Sequence, residues 1–207
     1  RMNYLALHQQ YKEETISGRY ITLEHIEPLV LKQQAEIIGQ SVLGKPIYKL
    51  QFGTGKIRIL MWSQMHGNES TTTKALFDFI NFLHSNTKES SIILDHFTFC
   101  MLPMLNPDGA KLYTRENANG IDLNRDAQDL SQSESIVLRK TFENQKIFHE
   151  NILNISGVII VQRVKKLHLS EYYDNLSAYA HMNVHKFDNH DNYNYIVSTK
   201  VETKGSI

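Results

Sequence analysis

Four consecutive residues, His66-Gly67-Asn68-Glu69, carry the groups from which this chain could build a metal site. An imidazole and a carboxylate three positions apart can reach one ion across a tight turn, and Gly67 between them frees the backbone to bend. Nitrogen from His and oxygen from Glu suit zinc, so His66 and Glu69 are read as two zinc ligands. A second polar stretch follows at 115–126, with Arg115, Asp122, Asn124 and Arg125, and between the two lies Asn106-Pro107-Asp108-Gly109. A zinc pair with two arginines and an amide nearby describes a hydrolase that polarises a carbonyl and holds a free carboxylate.

These turns act together only if strands bring them to one edge of a sheet, where the carboxyl ends of strands commonly form sites. The apolar run Ile57 to Trp62 reads as a strand leading into the His66 turn. From Thr71, Leu76, Phe79, Ile80 and Leu83 recur at helical spacing, the stripe of a helix packed on a sheet. Phe97 to Leu105 is apolar on both faces, as an interior strand covered on each side would be, and it ends in the Asn106 to Gly109 segment, read as a turn. Upstream, residues 23–38 have a broadly helical period after a Thr22 cap, and Pro28 places the helix start close to itself. Runs at 37–41 and 47–52, separated by Gly44-Lys45-Pro46, read as a hairpin, and Gly53-Thr54-Gly55-Lys56 as a turn. Ser131-Gln132-Ser133-Glu134 fits a capping box before a helix with Val137, Leu138, Thr141 and Phe142 inward. Beyond Gln145 the periodicity weakens, although Gly157 to Val161 reads as a buried strand.

In this order and at these separations, His66-Gly67-Asn68-Glu69, Asn106-Pro107-Asp108-Gly109, and Arg115 with Asn119-Gly120-Ile121-Asp122-Leu123-Asn124-Arg125 resemble the zinc carboxypeptidases of the M14 type. The likeness runs from about residue 20 to 145, with 146–207 divergent or incomplete, in a chain read as a single domain over 1–207. It implies an α/β fold with a mixed, largely parallel sheet flanked by helices on both faces. It further implies zinc, a peptide-like substrate with a free C-terminal carboxylate, and cleavage of the C-terminal peptide bond by zinc-activated water. By resemblance Asp122 accepts a hydrogen bond from His66, Arg115 stabilises the oxyanion, and Asn124 with Arg125 bind the terminal carboxylate. The family completes its site with a second histidine, a glutamate base and a closing tyrosine. No segment after Gln145 matches these, and His149, His168, His181, His185 and His190, with Glu202 for the base, are the candidates.

Two other functions share these residues. An N-acyl amino acid deacylase of the aspartoacylase type has a similar His-Gly-Asn-Glu turn and Asp-Leu-Asn-Arg segment, and Asn-Pro-Asp-Gly favours the peptidase. A non-catalytic fragment or scaffold would keep the carboxylate-binding edge without turnover. Separately, Arg115 and Arg125 also read as ordinary surface charges in ion pairs with Asp122 or Asp126.

Composition narrows the rest. With 207 residues, 41% hydrophobic and 21% charged, the chain can bury one sizeable core. The 22 basic and 22 acidic residues cancel, which removes the field that would recruit nucleic acid or an anionic membrane. Cys100, inside an apolar run, reads as a buried structural thiol. No run reaches the roughly 18 apolar residues of a membrane span and the start, Arg1-Met2, carries no leader pattern, so cytoplasmic placement is the expectation, with residues upstream of Arg1 left open.

Overall fold

The computed structural model describes residues 4–144, 151–155, 158–162, 182–189 and 192–199, with side chains described over 6–144. In chain order the elements are α1 (Tyr4–Tyr11), α2 (Leu23–Leu31), β1 (Glu36–Gln40), β2 (Pro46–Phe52), β3 (Ile57–Trp62), α3 (Thr71–Leu83), α4 (Lys88–His96), β4 (Phe97–Leu102), α5 (Pro107–Leu112), α6 (Ser133–Asn144), β5 (Asn151–Ile155), β6 (Val158–Gln162), β7 (Met182–Asn189) and β8 (Asn192–Thr199). The first sheet has the order β1-β2-β4-β3, and a second runs β6-β5-β8-β7. In the first sheet β1 and β2 form the expected antiparallel hairpin, β2 is antiparallel to β4, and β4 is parallel to β3. The architecture is a mixed α/β sheet with helices.

Alternation along the strands sorts side chains onto two faces, as the period of two in a pleated strand requires. Tyr48, Leu50, Ile59, Phe99 and Met101 pack with residues of α2 and α3, including Ile26, Val30, Leu76, Phe77 and Ile80. Their neighbours in sequence, Ile47, Leu60, Trp62, Cys100 and Leu102, pack on the opposite side with Leu123 and Val137 of α6. Both faces are therefore covered, and the near-continuous apolar runs of β3 and β4 follow from that. Cys100 is 1% exposed, and burial pushes its thiol pKa up to about 11, consistent with an inert structural thiol.

Four local readings are corrected. α2 starts at Leu23, with Thr22 at its cap position, so Pro28 lies inside the helix rather than near its start. The lost bond there falls on the carbonyl of Glu24, an exposed residue that water can reach. β4 ends at Leu102, not Leu105. Asn106-Pro107-Asp108-Gly109 opens the short helix α5: Pro107 occupies its first turn and the Asn106 side chain accepts from the Gly109 N–H at 2.8 Å. The capping box does not form, because Ser131 Oγ donates to Asp126 Oδ1 at 2.5 Å and Glu134 Oε1 turns to the Val42 N–H at 3.1 Å. At Glu134 the distant Val42 N–H outcompetes the local cap.

β3 and β4 are parallel neighbours, so their carboxyl ends lie at one edge of the sheet. Pairing continues past both strands, from Ser63 N–H to Leu102 O at 3.0 Å, Leu105 N–H to Ser63 O at 3.0 Å and Asn106 N–H to Gln64 O at 3.0 Å. The turn carrying His66 and the segment carrying Asn106 thus emerge side by side.

Candidate metal centre

His66 leaves the end of β3 with its side chain only 12% exposed. Its Nδ1 stands 3.1 Å from Glu69 Oε2 and its Nε2 stands 3.0 Å from Asp122 Oδ1. Arg115 closes a ring of charges, with Nε 3.0 Å from Asp122 Oδ2 and Nη1 3.2 Å from Glu69 Oε1. Glu69 is the more open member at 55% exposure, with Arg115 at 41% and Asp122 at 18%. Four sequence-predicted residues, drawn from two segments, therefore meet at one point.

The electrostatics follow from the ring. Burial works against a charged imidazole at His66, but the hydrogen bond and charge of Glu69, then the bond to Asp122, outweigh it and raise its pKa. The His66 hydrogen bond holds the Glu69 carboxyl below its ordinary value despite some burial. At Asp122 burial opposes ionisation, while bonds from His66, the Asn124 N–H and Arg115 prevail and lower the pKa. Both carboxylates are thus ionised at neutral pH, ready to attract a cation.

Two ligand atoms each about 2.0–2.1 Å from a tetrahedral zinc stand roughly 3.3 Å apart. The 3.1 Å between His66 Nδ1 and Glu69 Oε2 is close to that separation, and Asp122 on the other ring nitrogen supplies the carboxylate that metal-bound histidines commonly require. The donor set fits zinc. Among the described residues no group of three or more His, Cys, Asp and Glu side chains could hold a metal, so the fit extends to a pair of ligands. The candidates His149, His168, His181, His185, His190 and Glu202 lie outside the residues whose side chains are described.

Asn124 and Arg125 are exposed on the turn after Asp122. The Asn124 N–H donates to Asp122 Oδ1 at 2.9 Å and the Arg125 N–H to Asp122 O at 2.9 Å, so the turn itself is held by Asp122 while both side chains project from it. Their side chains are not part of the charged ring. Arg115 does pair with Asp122, as the ordinary ion-pair reading expected, yet the same guanidinium also reaches Glu69.

A model of the zinc carboxypeptidase family matches residues 32–204. The chain belongs to that family. Over 116 residues it is 35% identical to carboxypeptidase E of Caenorhabditis elegans, a match covering 45% of this chain and 25% of that protein. It is 34% identical over 87 residues to the gamma-D-glutamyl-L-diamino acid endopeptidase 1 of Lysinibacillus sphaericus, covering 38% of this chain and 22% of the relative. The chain therefore spans about a quarter of the length of the curated relatives it matches. Among solved structures, the metallo-carboxypeptidase of Burkholderia cenocepacia superposes with a TM-score of 0.55 at 26% identity, covering 60% of this chain and 38% of that one. Thrombin-activatable fibrinolysis inhibitor, at 17% identity, superposes with a TM-score of 0.56 over 84% of this chain and 59% of its own, a likeness of fold alone. No helix among the described residues is long and apolar enough to cross a membrane.

The residues missed by sequence reading are buried amides and acids that hold this zinc carboxypeptidase edge together. Asn117, 3% exposed, donates through Nδ2 to Gln132 Oε1 at 2.9 Å and Glu134 Oε2 at 3.2 Å, and its Oδ1 accepts the Asn119 and Ile121 N–H groups, each at 3.1 Å. Asp126, 4% exposed, accepts from Ser131 Oγ, the Ser131 N–H and the Gln132 N–H. Their only sequence signal was an excess of short polar residues in a stretch with few apolar ones.

Burial opposes the charge of Asp126, but the bonds led by Ser131 hold its pKa at about 2. A carboxyl whose folded pKa is depressed stabilises above its unfolded pKa, near 4, and loses that contribution as pH falls through about 2. The shift is worth about 2 kcal/mol. Asp126→Asn is expected to lower stability near neutral pH by about that amount and to flatten the acid limb of the stability curve. Urea unfolding of both proteins at several pH values between about 2 and 7 measures this. Parallel acid limbs would refute it.

Proposed function

We propose that this chain contributes the metal-binding and carboxylate-recognising edge of a zinc metallocarboxypeptidase that hydrolyses the C-terminal bond of a peptide or peptide-like substrate. The observation that carries the reading is the orientation of His66, with Nδ1 toward Glu69 and Nε2 toward Asp122. His66 Nδ1 and Glu69 would hold zinc, which when bound polarises a carbonyl and lowers the pKa of a water ligand.

The protein's own groups supply the rest. With zinc on Nδ1, Asp122, 3.0 Å from Nε2, would accept the Nε2–H and hold the ring plane. Arg115, anchored through Nε and Nη1, makes no Nη2 contact among the described residues, so a donor remains to stabilise negative charge on the scissile carbonyl oxygen. Asn124 and Arg125, exposed on the adjoining turn, are suited to the terminal carboxylate, since a guanidinium fork matches two carboxylate oxygens.

The test compares a blocked dipeptide with N-acetyl amino acids, alongside metal analysis of the purified chain. Release of the C-terminal residue from the dipeptide by protein carrying one zinc per chain is the expected result. Turnover of N-acetyl amino acids alone would replace the peptidase by a deacylase of the aspartoacylase type. No turnover of either substrate would leave a scaffold.

A further inference from the structure

The reading above gives Asn106 no role beyond capping α5, yet every polar group of this fully buried residue is engaged. Its Oδ1 accepts from the Gly109 N–H at 2.8 Å, which is the cap. Its Nδ2 donates to Met65 O at 3.2 Å and to Glu116 O at 3.1 Å, which no cap requires. Met65 immediately precedes His66, and Glu116 immediately follows Arg115. One dry carboxamide therefore ties the backbone of the His66–Glu69 limb to the backbone of the Arg115–Asp122 limb.

The seam has no slack elsewhere. A Cβ on Gly67 would fall 1.9 Å from the Gly109 carbonyl carbon, and one on Gly109 would fall 2.4 Å from Glu116 O, so the three segments touch backbone to backbone. The Asn68 N–H donates across the same seam to Thr114 O at 3.1 Å. On the far side, Gln64 takes φ of 44°, uncommon for a residue with a Cβ, and its Nε2 donates to Gly67 O at 2.8 Å and to Ile21 O at 2.9 Å. The charged ring also spans the two limbs, but its Glu69 and Arg115 side chains are open to water, whereas the Asn106 side chain that makes the bridge is fully buried.

From these contacts we infer that Asn106 is a positioning residue that sets the separation between the metal-ligating pair and the groups that orient it, Asp122 and Arg115. The inference rests on the metal-site reading of the previous section. Asn106→Asp separates the two roles: it keeps the oxygen that caps α5 and replaces the Nδ2 donor with an acceptor facing two carbonyls.

The experiment measures zinc affinity by chelator competition, kcat and KM on the blocked dipeptide, and Tm, for the 207-residue chain and its variants. Thr98→Val is the control: it removes another buried bond, Thr98 Oγ1 to Gly55 O at 2.7 Å, at the opposite end of β4. Both variants are expected to lower Tm, but only Asn106→Asp to weaken zinc binding by about 10- to 100-fold, the range seen when groups that orient ligands are lost, with kcat falling more than KM changes. Zinc affinity of Asn106→Asp equal to that of Thr98→Val overturns the inference. Should Asn106→Asp not fold, Gly109→Ala, whose Cβ would fall 2.4 Å from Glu116 O and 2.5 Å from Asn106 Nδ2, displaces the same bridge and carries the same expectation, and unchanged zinc affinity in it overturns the inference too. A wild-type chain without zinc defeats the metal reading instead. Positioning is then read from the NMR signal of the His66 ring N–H bonded to Asp122: its loss in Asn106→Asp but not Thr98→Val supports the inference, and its retention in both overturns it.

Discussion

His66→Ala is expected to abolish one-to-one zinc binding by the purified chain. Only two proposed zinc ligands meet at this edge among the described residues, and the substitution removes the less exposed of them, leaving Glu69 with its side chain more than half exposed. It also removes the imidazole from Asp122 Oδ1, leaving Asp122 with Arg115 and the Asn124 N–H. Asp122→Asn, which keeps the ligand and weakens only its orientation, should cost roughly 10- to 100-fold in zinc affinity, so losing the ligand itself should cost more than roughly 100-fold. Metal analysis after dialysis and calorimetric titration with zinc measure both. Full zinc occupancy in His66→Ala would place the metal elsewhere and remove the basis for the proposed chemistry.

Arg115→Lys is expected to reduce kcat by about 100- to 1,000-fold, equivalent to about 3–4 kcal/mol of transition-state stabilisation, with a much smaller change in KM. The reason is geometric. A guanidinium can hold Asp122 through Nε and Glu69 through Nη1 while a further nitrogen remains for developing charge. An ammonium is a point charge without that fork and cannot do all three from one position. Because neither proposed zinc ligand is altered, zinc stoichiometry should stay at one. The pattern that separates this role from substrate binding is the split itself: a raised KM with kcat preserved would make Arg115 a binding residue. Arg125→Lys, on the exposed turn beyond Asp122, is expected to show that opposite pattern if it grips the terminal carboxylate.

Both expectations depend on a ring assembled across long sequence separations, which is why its parts differ in how visible they were. His66 and Glu69 are three residues apart on a turn between a strand and a helix, and that local arrangement was readable from the apolar run ending at Trp62 and the stripe beginning after Thr71. The hairpin of β1 and β2 was readable for the same reason, from turn residues between short apolar runs. α4 was not, since Lys88–His96 buries only Ser90 and so carries little of the apolar stripe by which a helix announces itself.

The sequence by itself determined the family, the strand and helix that flank His66, and the identity of the groups in the charged ring, because side-chain chemistry and periodicities of two and 3.6 residues are local properties. Only the tertiary structure decided that β4 lies between β2 and β3 and that Asn106 meets Met65 across 41 positions, while the meeting of Asp122 with His66 across 56 was expected from the family resemblance and not from any local pattern. It also turned the Asn106 to Gly109 turn into a helix start and Ser131 from a cap into a partner of Asp126. The long-range meetings depend on the parallel pairing of β3 with β4, which brings the segments after both strands side by side, whereas Asn106 with Gly109 and Ser131 with Asp126 are settled between groups only three and five residues apart that compete for the same hydrogen bonds.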